Sequence, residues 1–357
     1  MKRTRKQEPL SSQMKRRSSS TAKRIRKPKY EGDFGQVIST GSTLLDLEIS
    51  GGRIRGGGLP GGILVEAFGP SGSGKTVLLS EVAGAVQRGG GEIMFKDPEG
   101  RLNKRFAKIF DLDIKDEDYS RPDTVPEVFT SVRKWKPEEN SKKPSKIIHG
   151  IFTDSLAALS TDMEMDSDDG DPFGGRRAKE FSEEFRKTCR ILSDKNYLMV
   201  CSNQVRDVIG ATKYQSKTKS PGGRAMEFYP SLRLAFTNAS KIKREKTIYG
   251  KKESRIVGVE TSINVFKSSI WNPFGTARLT ILFNYGIDDI RQNLQYIKDH
   301  SKHNVYTCRG RNLSNTLEEA IQIIETKGWE NRLREETIDL WEYIGSKFVI
   351  KRKPKRR

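Results

Sequence analysis

Eight consecutive residues, Gly69-Pro70-Ser71-Gly72-Ser73-Gly74-Lys75-Thr76, follow the spacing G-x-x-x-x-G-K-[ST]. A run of this kind holds phosphate. Its glycines let successive backbone N–H groups turn inward around an anion, Lys75 reaches the terminal phosphates, and the Thr76 hydroxyl is placed for Mg²⁺. A helix beginning here adds the positive end of its dipole. The pattern needs an apolar strand before it and an amphipathic helix after it, and residues 63–68 and 76–87 read that way. ATP with Mg²⁺ is the expected ligand.

Such a cradle needs a second acidic position for the metal's water shell. Residues 147–154 form an apolar run that ends in a carboxylate, Asp154, which suits that role. His149, in the middle of the run, reads as a core residue. Hydrolysis also needs a base that orients water at the γ-phosphate. Asp97 and Glu99, in Lys96-Asp97-Pro98-Glu99-Gly100, are both placed for it, and the residues alone do not choose between them.

The elements that must carry these groups alternate between short apolar runs and helical stretches. Strands are expected at 63–68, 92–97, 147–154, 197–203 and 232–237. Their runs are nearly continuous rather than alternating, as in strands covered on both faces. This points to an α/β core with a mostly parallel central sheet. Residues 263–266 and 277–283 read as antiparallel edge strands. From about residue 287 the pattern changes to helices at 290–299, 317–326 and 331–344, a small, mainly helical C-terminal domain. The expected organisation is a basic arm (1–34), an ATPase and nucleic-acid-binding core (35–286), the small domain (287–346) and a basic tail (347–357). Two polar stretches rich in Gly, Ser, Lys or Asp, 162–175 and 206–223, interrupt the core, and loops of that length are usually functional or disordered.

The charge sits at the ends. The 357 residues carry 66 Lys+Arg against 46 Asp+Glu. Residues 1–30 hold 12 of the basic groups and one acid, Glu8, and residues 351–357 hold six and none, so the body between is nearly balanced. Chains this basic and this poor in apolar groups do not offset their ordering entropy by burial. Basic arms suit a phosphate backbone, because each neutralised phosphate releases counterions. The same runs (residues 23–27 and 351–353) also fit a solubilising tail or a nuclear address. No apolar run approaches the ~18 residues of a membrane span. Cys189, Cys201 and Cys308 make neither a disulfide framework nor a zinc spacing. A cytoplasmic, DNA-associated protein with no membrane partner is expected.

With these residues in view the chain resembles the bacterial and bacteriophage RecA-type recombinases over residues 37–285, and more loosely to 346. The resemblance is carried by Val37-Ile38-Ser39-Thr40-Gly41-Ser42 before Leu44-Leu45-Asp46, by 68–76, and by Asp97-Pro98-Glu99. It continues through 153–159, Asn203-Gln204-Val205-Arg206, Pro221-Gly222-Gly223-Arg224-Ala225-Met226-Glu227-Phe228-Tyr229, Asn272-Pro273-Phe274 and Tyr285-Gly286-Ile287. It implies a RecA-like P-loop ATPase that forms a helical filament on single-stranded DNA and pairs it with homologous duplex. It further implies ATP and Mg²⁺ as cofactors, and single-strand binding and mediator proteins as partners.

Residue by residue, the resemblance makes Glu99 the catalytic carboxylate and Gln204 the sensor of the γ-phosphate. Asp154 and Ser155 match the second acidic motif, Phe106 the ring that stacks on adenine, and Asn103 a polar contact to the base. Stretches 162–175 and 206–223 match the two DNA loops. Lys179, Ser182 and Arg186 match DNA-contacting positions, and their i, i+3, i+7 spacing sets them on one helix stripe, apart from an apolar stripe of Phe181, Phe185, Cys189 and Leu192. In the second loop Arg206 brings charge and Ile209 an apolar wedge. Gly222 and Gly223 allow close backbone approach, Arg224 sits beside them, and Lys213, Lys217 and Lys219 add backbone-binding charge.

The chain also departs from the family. Of the Lys-x-Lys pair that reaches ATP on the adjacent subunit, only Lys267 is present, with Ser269 at the second place. Two basic positions linked to the second DNA strand read Ser262 and Asn264, which moves duplex capture elsewhere, with the arms as the expected site. The docking N-terminal helix has no counterpart in residues 1–30, and the acidic C-terminal tail is replaced by a basic one. Against the filament-forming, DNA-dependent ATPase stand two alternatives. One is a ring-forming helicase or recombination-associated ATPase on the same core; the other is a non-catalytic single-strand binding or annealing protein.

Overall fold

Six strands pair in parallel in the spatial order Tyr119–Ser120, Ile93–Lys96, His149–Thr153, Tyr197–Gln204, Ile63–Gly69 and Leu232–Phe236. The sheet then turns antiparallel through Lys251–Ser268, Thr276–Leu282 and Gly286–Ile287. The computed structural model describes residues 34–138, 147–161, 175–207, 218–219, 223–237, 239–350 and 352. Residues from Gln36 onward form one compact unit.

Sequence dictates this sheet through burial. All five residues of His149–Thr153 and the first seven of Tyr197–Gln204 are buried, so the middle of each strand is apolar and its polar residues sit towards the ends. One face is covered by the helices Val125–Lys134 and Gly175–Lys195, whose Val128, Phe129, Phe181, Phe185 and Leu192 pack with Ile151, Met199 and Leu64. Glu127 accepts from the Thr124 N–H at 3.3 Å at the start of the first of these helices, and Arg133 ties the two together through Glu184. The helix Lys75–Arg88 buries Leu78, Leu79, Val82 and Val86. The apolar stripe expected on Gly175–Lys195 is the one that packs inward, with Phe181, Phe185 and Leu192 buried and Cys189 partly so.

The strands foreseen at the parallel core are present within one or two residues. The antiparallel side holds more than the sequence suggested. The stretch expected as an edge strand at 263–266 belongs to the 18-residue strand Lys251–Ser268, which pairs outward with Ser240–Ile248 to make a long ribbon. Its two-residue turn, Tyr249-Gly250, has φ of +50° and +78°, the geometry that matches strand twist. Short pairs also join Val37–Ile38 to Leu59–Pro60 and Arg206–Asp207 to Thr218–Lys219.

Beyond Ile287 the helices Asp289–Asp299, Leu317–Lys327 and Glu330–Lys347 enclose an apolar cluster of Leu294, Ile297, Tyr306, Cys308, Ala320, Ile324 and Leu333. The part read from sequence as mainly helical also holds a strand pair: Tyr306–Cys308 is buried and pairs with Arg311–Ser314. Strands of three and four residues are too short to carry a readable period. This part docks on the helix Thr43–Ser50 and the loop after it. Trp341 Nε1 donates to Glu48 at 2.9 Å, the Thr43 N–H donates to Asp289 at 2.7 Å, and Arg55 reaches Glu335 at 2.7 Å and Asp339 at 2.8 Å.

Candidate active site and nucleic-acid surface

Parallel pairing brings the chemistry to one edge. Gly69 is level with Gln204, Lys96 with Thr153, and Asp154 follows directly, with its N–H on the Lys96 carbonyl at 2.9 Å. Ligands of open α/β sheets bind at these carboxyl ends.

The phosphate cradle is built by backbone shape. Gly69 has φ +154°, and a Cβ there would lie 2.6 Å from the Phe236 carbonyl oxygen. Gly74, at φ +98°, caps the helix, and a Cβ there would strike Ile281 Cδ1 at 2.3 Å. Lys75 is buried, its Nζ donating to the Gly69 and Pro70 carbonyls at 3.0 and 2.7 Å. Ser73 Oγ donates to Pro70 O at 2.8 Å, which holds the turn closed. Burial lowers the Lys75 ammonium from its usual range, while Asp154 and Glu99 pull it back up. Ser71 and Gly72 lie at the exposed crown of the loop.

Thr76 Oγ1 donates to Asp154 Oδ2 at 2.6 Å, and Ser202 donates to the other carboxylate oxygen. Burial raises the Asp154 carboxyl above its ordinary value, and the two hydroxyl donors oppose that. Hard oxygen donors beside a phosphate cradle fit Mg²⁺, which takes few protein ligands and leaves the rest to phosphate and water. Among the described residues there is no cluster of three or more His, Cys, Asp or Glu that would make a separate metal cage.

Glu99 stands next to this pair. Its Oε1 accepts from Ser155 Oγ at 2.8 Å and from Gln204 Nε2 at 3.4 Å, and Arg101 Nη1 lies 2.9 Å from Oε2. Asp97, the other acid considered as base, is buried and occupied: Oδ2 accepts from the Leu102 N–H at 2.8 Å and from Tyr119 OH at 2.9 Å. Asp97 therefore shapes the loop, and the carboxylate grouped with Ser155 and Gln204 is Glu99.

Other expected site residues fall less centrally. Asn103 caps the short helix Lys104–Lys108 and accepts from the Phe106 N–H at 2.9 Å. It lines a cavity of about 370 Å³ with Leu102, Ala107, Leu112, Ile114 and Tyr119, whereas the Phe106 ring packs on Phe110 at 5.0 Å. Lys267 Nζ donates to the carbonyls of Glu227 and Phe228 at 2.9 and 2.7 Å, so within this chain it closes the end of the helix Arg224–Phe228. His149 is a core residue, its Nδ1 accepting from the Glu92 N–H at 3.1 Å.

On the nucleic-acid side, Lys179 and Arg186 are exposed and Ser182 half-buried, on the face of their helix away from the core. Arg224 is exposed at the start of its helix, and Gly223, at φ +61°, precedes it. The backbone of Arg206 pairs with Lys219. Ile209, Lys213, Lys217 and Gly222 lie outside the described residues, as do residues 162–174 of the first loop.

Sequence reasoning passed over three groups near this edge. Ser202 and Arg101 are two. The third is a buried ion pair, Glu66 with Arg233 at 2.6 Å, joined by Asn203 Nδ2 to Glu66 at 3.0 Å and stacked by Arg233 on the Phe68 ring at 4.5 Å. A charge inside each of two apolar strands, Ile63–Gly69 and Leu232–Phe236, was the available signal.

Comparison with known proteins gives the family. Residues 26–288 match the model of the RecA N-terminal domain. The chain is 34% identical to Protein RecA of Delftia acidovorans over 252 residues, 71% of this chain and 63% of that protein. It is 33% identical to Protein RecA of Thermus aquaticus over 263 residues, 74% and 71% of the two chains. With Protein RecA of Colwellia psychrerythraea it shares 30% identity over 329 residues, 90% and 89% of the two chains. Coverage of the Delftia relative thus stays below two thirds of its length, while the other two are spanned more fully. The chain belongs to the RecA family, whose members are ATP-binding, DNA-dependent ATPases of homologous recombination.

Proposed function

We propose that this chain is an ATP-dependent recombinase that forms a filament on single-stranded DNA and exchanges strands with homologous duplex. The observation that carries the reading is the grouping of Lys75, Thr76, Asp154, Glu99, Ser155 and Gln204 at one edge of the parallel sheet. In this reading residues 69–76 wrap the phosphates, and Lys75 leaves its own loop carbonyls for the β- and γ-phosphate oxygens. Thr76 and Asp154 hold Mg²⁺, which would neutralise charge on the phosphates. Asn103 and Phe106 flank the base.

Glu99 takes a proton from water as its oxygen bonds to the γ-phosphorus. The bond from that phosphorus to the bridging oxygen breaks, and ADP and phosphate leave. Gln204 meets the γ-phosphate and, as the last residue of its strand, transmits its presence to the chain that follows from Arg206. That chain, with Lys179, Ser182, Arg186, Ile209, Gly222, Gly223 and Arg224, takes the DNA. Lys267 turns to the nucleotide of an adjoining subunit in the filament. The arm (1–34), core (35–286), small domain (287–346) and tail (347–357) serve as its units, and the separate apolar cluster beyond Ile287 supports that division.

Strand exchange between a circular single strand and a homologous linear duplex, with and without ATP, tests the reading. ATP-dependent joint molecules are expected; their absence, with filaments also missing in electron micrographs, would refute it.

A further inference from the structure

The antiparallel ribbon made by Ser240–Ile248 and the first part of Lys251–Ser268 carries charge that nothing above uses. Between residues 240 and 256 stand seven cations, Lys241, Lys243, Arg244, Lys246, Lys251, Lys252 and Arg255, against Glu245 and Glu253. Every residue from Lys243 to Ile256 is exposed. The ribbon continues the strand Leu232–Phe236 past its carboxyl end, and that strand runs parallel to Ile63–Gly69. It therefore projects from the same sheet edge that holds the nucleotide site.

Register decides how the charges meet. Arg244 is directly opposite Arg255, Ile248 opposite Lys251, and only Lys246 faces an acid, Glu253. These six share one face of the ribbon; Lys243, Thr247, Lys252 and Ile256 share the other with Glu245 and Ser254. Like charges directly opposite across a sheet are destabilising. Protecting exposed strand edges would need charge but not this excess of one sign. The Arg244–Arg255 face is thus complementary to a polyanion.

Shape selects which one. A register shift after Ile242 sets the distal six pairs apart from the main sheet, and they extend about 20 Å at strand spacing. This element is two strands wide and exposed on both faces, with a fully exposed Tyr249 at its tip. Single strands are held in grooves lined with stacking rings. A two-stranded ribbon is itself of a size to enter the major groove of B-DNA. We infer that the Arg244–Arg255 face of this ribbon binds duplex DNA. The assignment rests on the DNA-acting reading above, and it places duplex capture on the body of the protein rather than on its arms alone.

The test uses the full chain and a fluorescent 40-base-pair duplex, with anisotropy read from 50 to 300 mM salt. Replacing Arg244, Lys246, Lys251 and Arg255 together by Gln should weaken duplex binding at least about tenfold near 150 mM salt and flatten the log–log salt slope by about 3. The Lys243→Gln/Lys252→Gln variant on the other face should change the slope by less than about 0.3 per charge removed. Arg244→Lys/Arg255→Lys should keep wild-type affinity, which excludes misfolding as the cause. ATP hydrolysis stimulated by single-stranded DNA should be the same in all of them. Unchanged duplex affinity in the fourfold variant overturns the assignment, and so does an equal loss per charge on both faces. A parallel loss of single-strand-stimulated hydrolysis overturns it too. Should the wild type show no DNA-stimulated hydrolysis while the ribbon still governs duplex binding, the recombinase reading fails and the ribbon assignment stands.

Discussion

Gln204 Nε2 lies 3.4 Å from Glu99 Oε1, across 105 positions of sequence. The residue that ends the central strand thus touches the carboxylate proposed to serve hydrolysis. Pairing of Ile63–Gly69 with Tyr197–Gln204 produces the contact by setting Gln204 level with Gly69. Under the proposed function, this contact is the route by which nucleotide state would reach the chain leaving Gln204.

Lys75→Ala removes the ammonium held inside the cradle. ATP hydrolysis in the presence of single-stranded DNA is expected to fall at least about 100-fold, the scale for losing one preorganised charge-stabilising group. A phosphate-release assay checks it, and activity within threefold of wild type would contradict the role of Lys75.

Glu99→Gln keeps the hydrogen-bonding shape toward Ser155 and Gln204 but cannot take a proton. Turnover is expected to drop by about 10² to 10⁴, the usual weight of a general base. Binding of a fluorescent ATP analogue should stay within a fewfold of wild type. A variant that still turns over would return the role of base to Asp97.

Ser202→Ala strips one of the two hydroxyl donors from Asp154. The carboxylate loses an orienting partner that also favours its ionised form, so half-maximal hydrolysis should need severalfold more Mg²⁺, with kcat at saturating Mg²⁺ nearly restored. An unchanged Mg²⁺ titration would remove Ser202 from the metal site.

Asp46 is fully buried and accepts from Thr40 N, Thr40 Oγ1 and Ser39 Oγ, the last two at 2.7 and 2.5 Å. Burial pushes its carboxyl up to about 6 from 3.8. The folded state therefore holds this proton where the unfolded chain has lost it. The resulting stability is complete below pH ~4 and disappears as pH rises through ~6. In Asp46→Asn, which mimics the protonated form, this dependence should vanish. The melting temperature of the wild type minus that of the variant should increase as pH falls from 7 to 4, and a flat difference would contradict the assignment.

Glu66→Gln or Arg233→Met alone should cost roughly 3 to 5 kcal/mol in a denaturant titration, because each leaves a buried charge uncompensated. Glu66→Leu combined with Arg233→Met should recover most of it. Additive losses in the double variant would show that the pair is not coupled.

The parallel sheet was legible because burial on both faces leaves continuous apolar runs, as in Tyr197–Gln204, bounded by turns. The cradle was legible because its function constrains eight adjacent residues. The ribbon was not. Exposed on both faces from Lys243 to Ile256, it carries no burial period, and Tyr249-Gly250 was its one local mark. Ser202 lay hidden for another reason: its partner Asp154 is 48 positions away, and only strand register joins them. Choosing Glu99 over Asp97 needed either the family resemblance or the geometry, since both acids sit in one five-residue turn.

In the proposed mechanism a γ-phosphate, held by Lys75 and read by Gln204, sets the grip on DNA. Affinity for a fluorescent single strand, measured with ADP and with a non-hydrolysable ATP analogue at fixed salt, tests this most directly. Binding at least tenfold tighter with the analogue, and a ratio near one in Gln204→Ala, is the expected result. Equal affinity in the two nucleotide states of the wild type would contradict it.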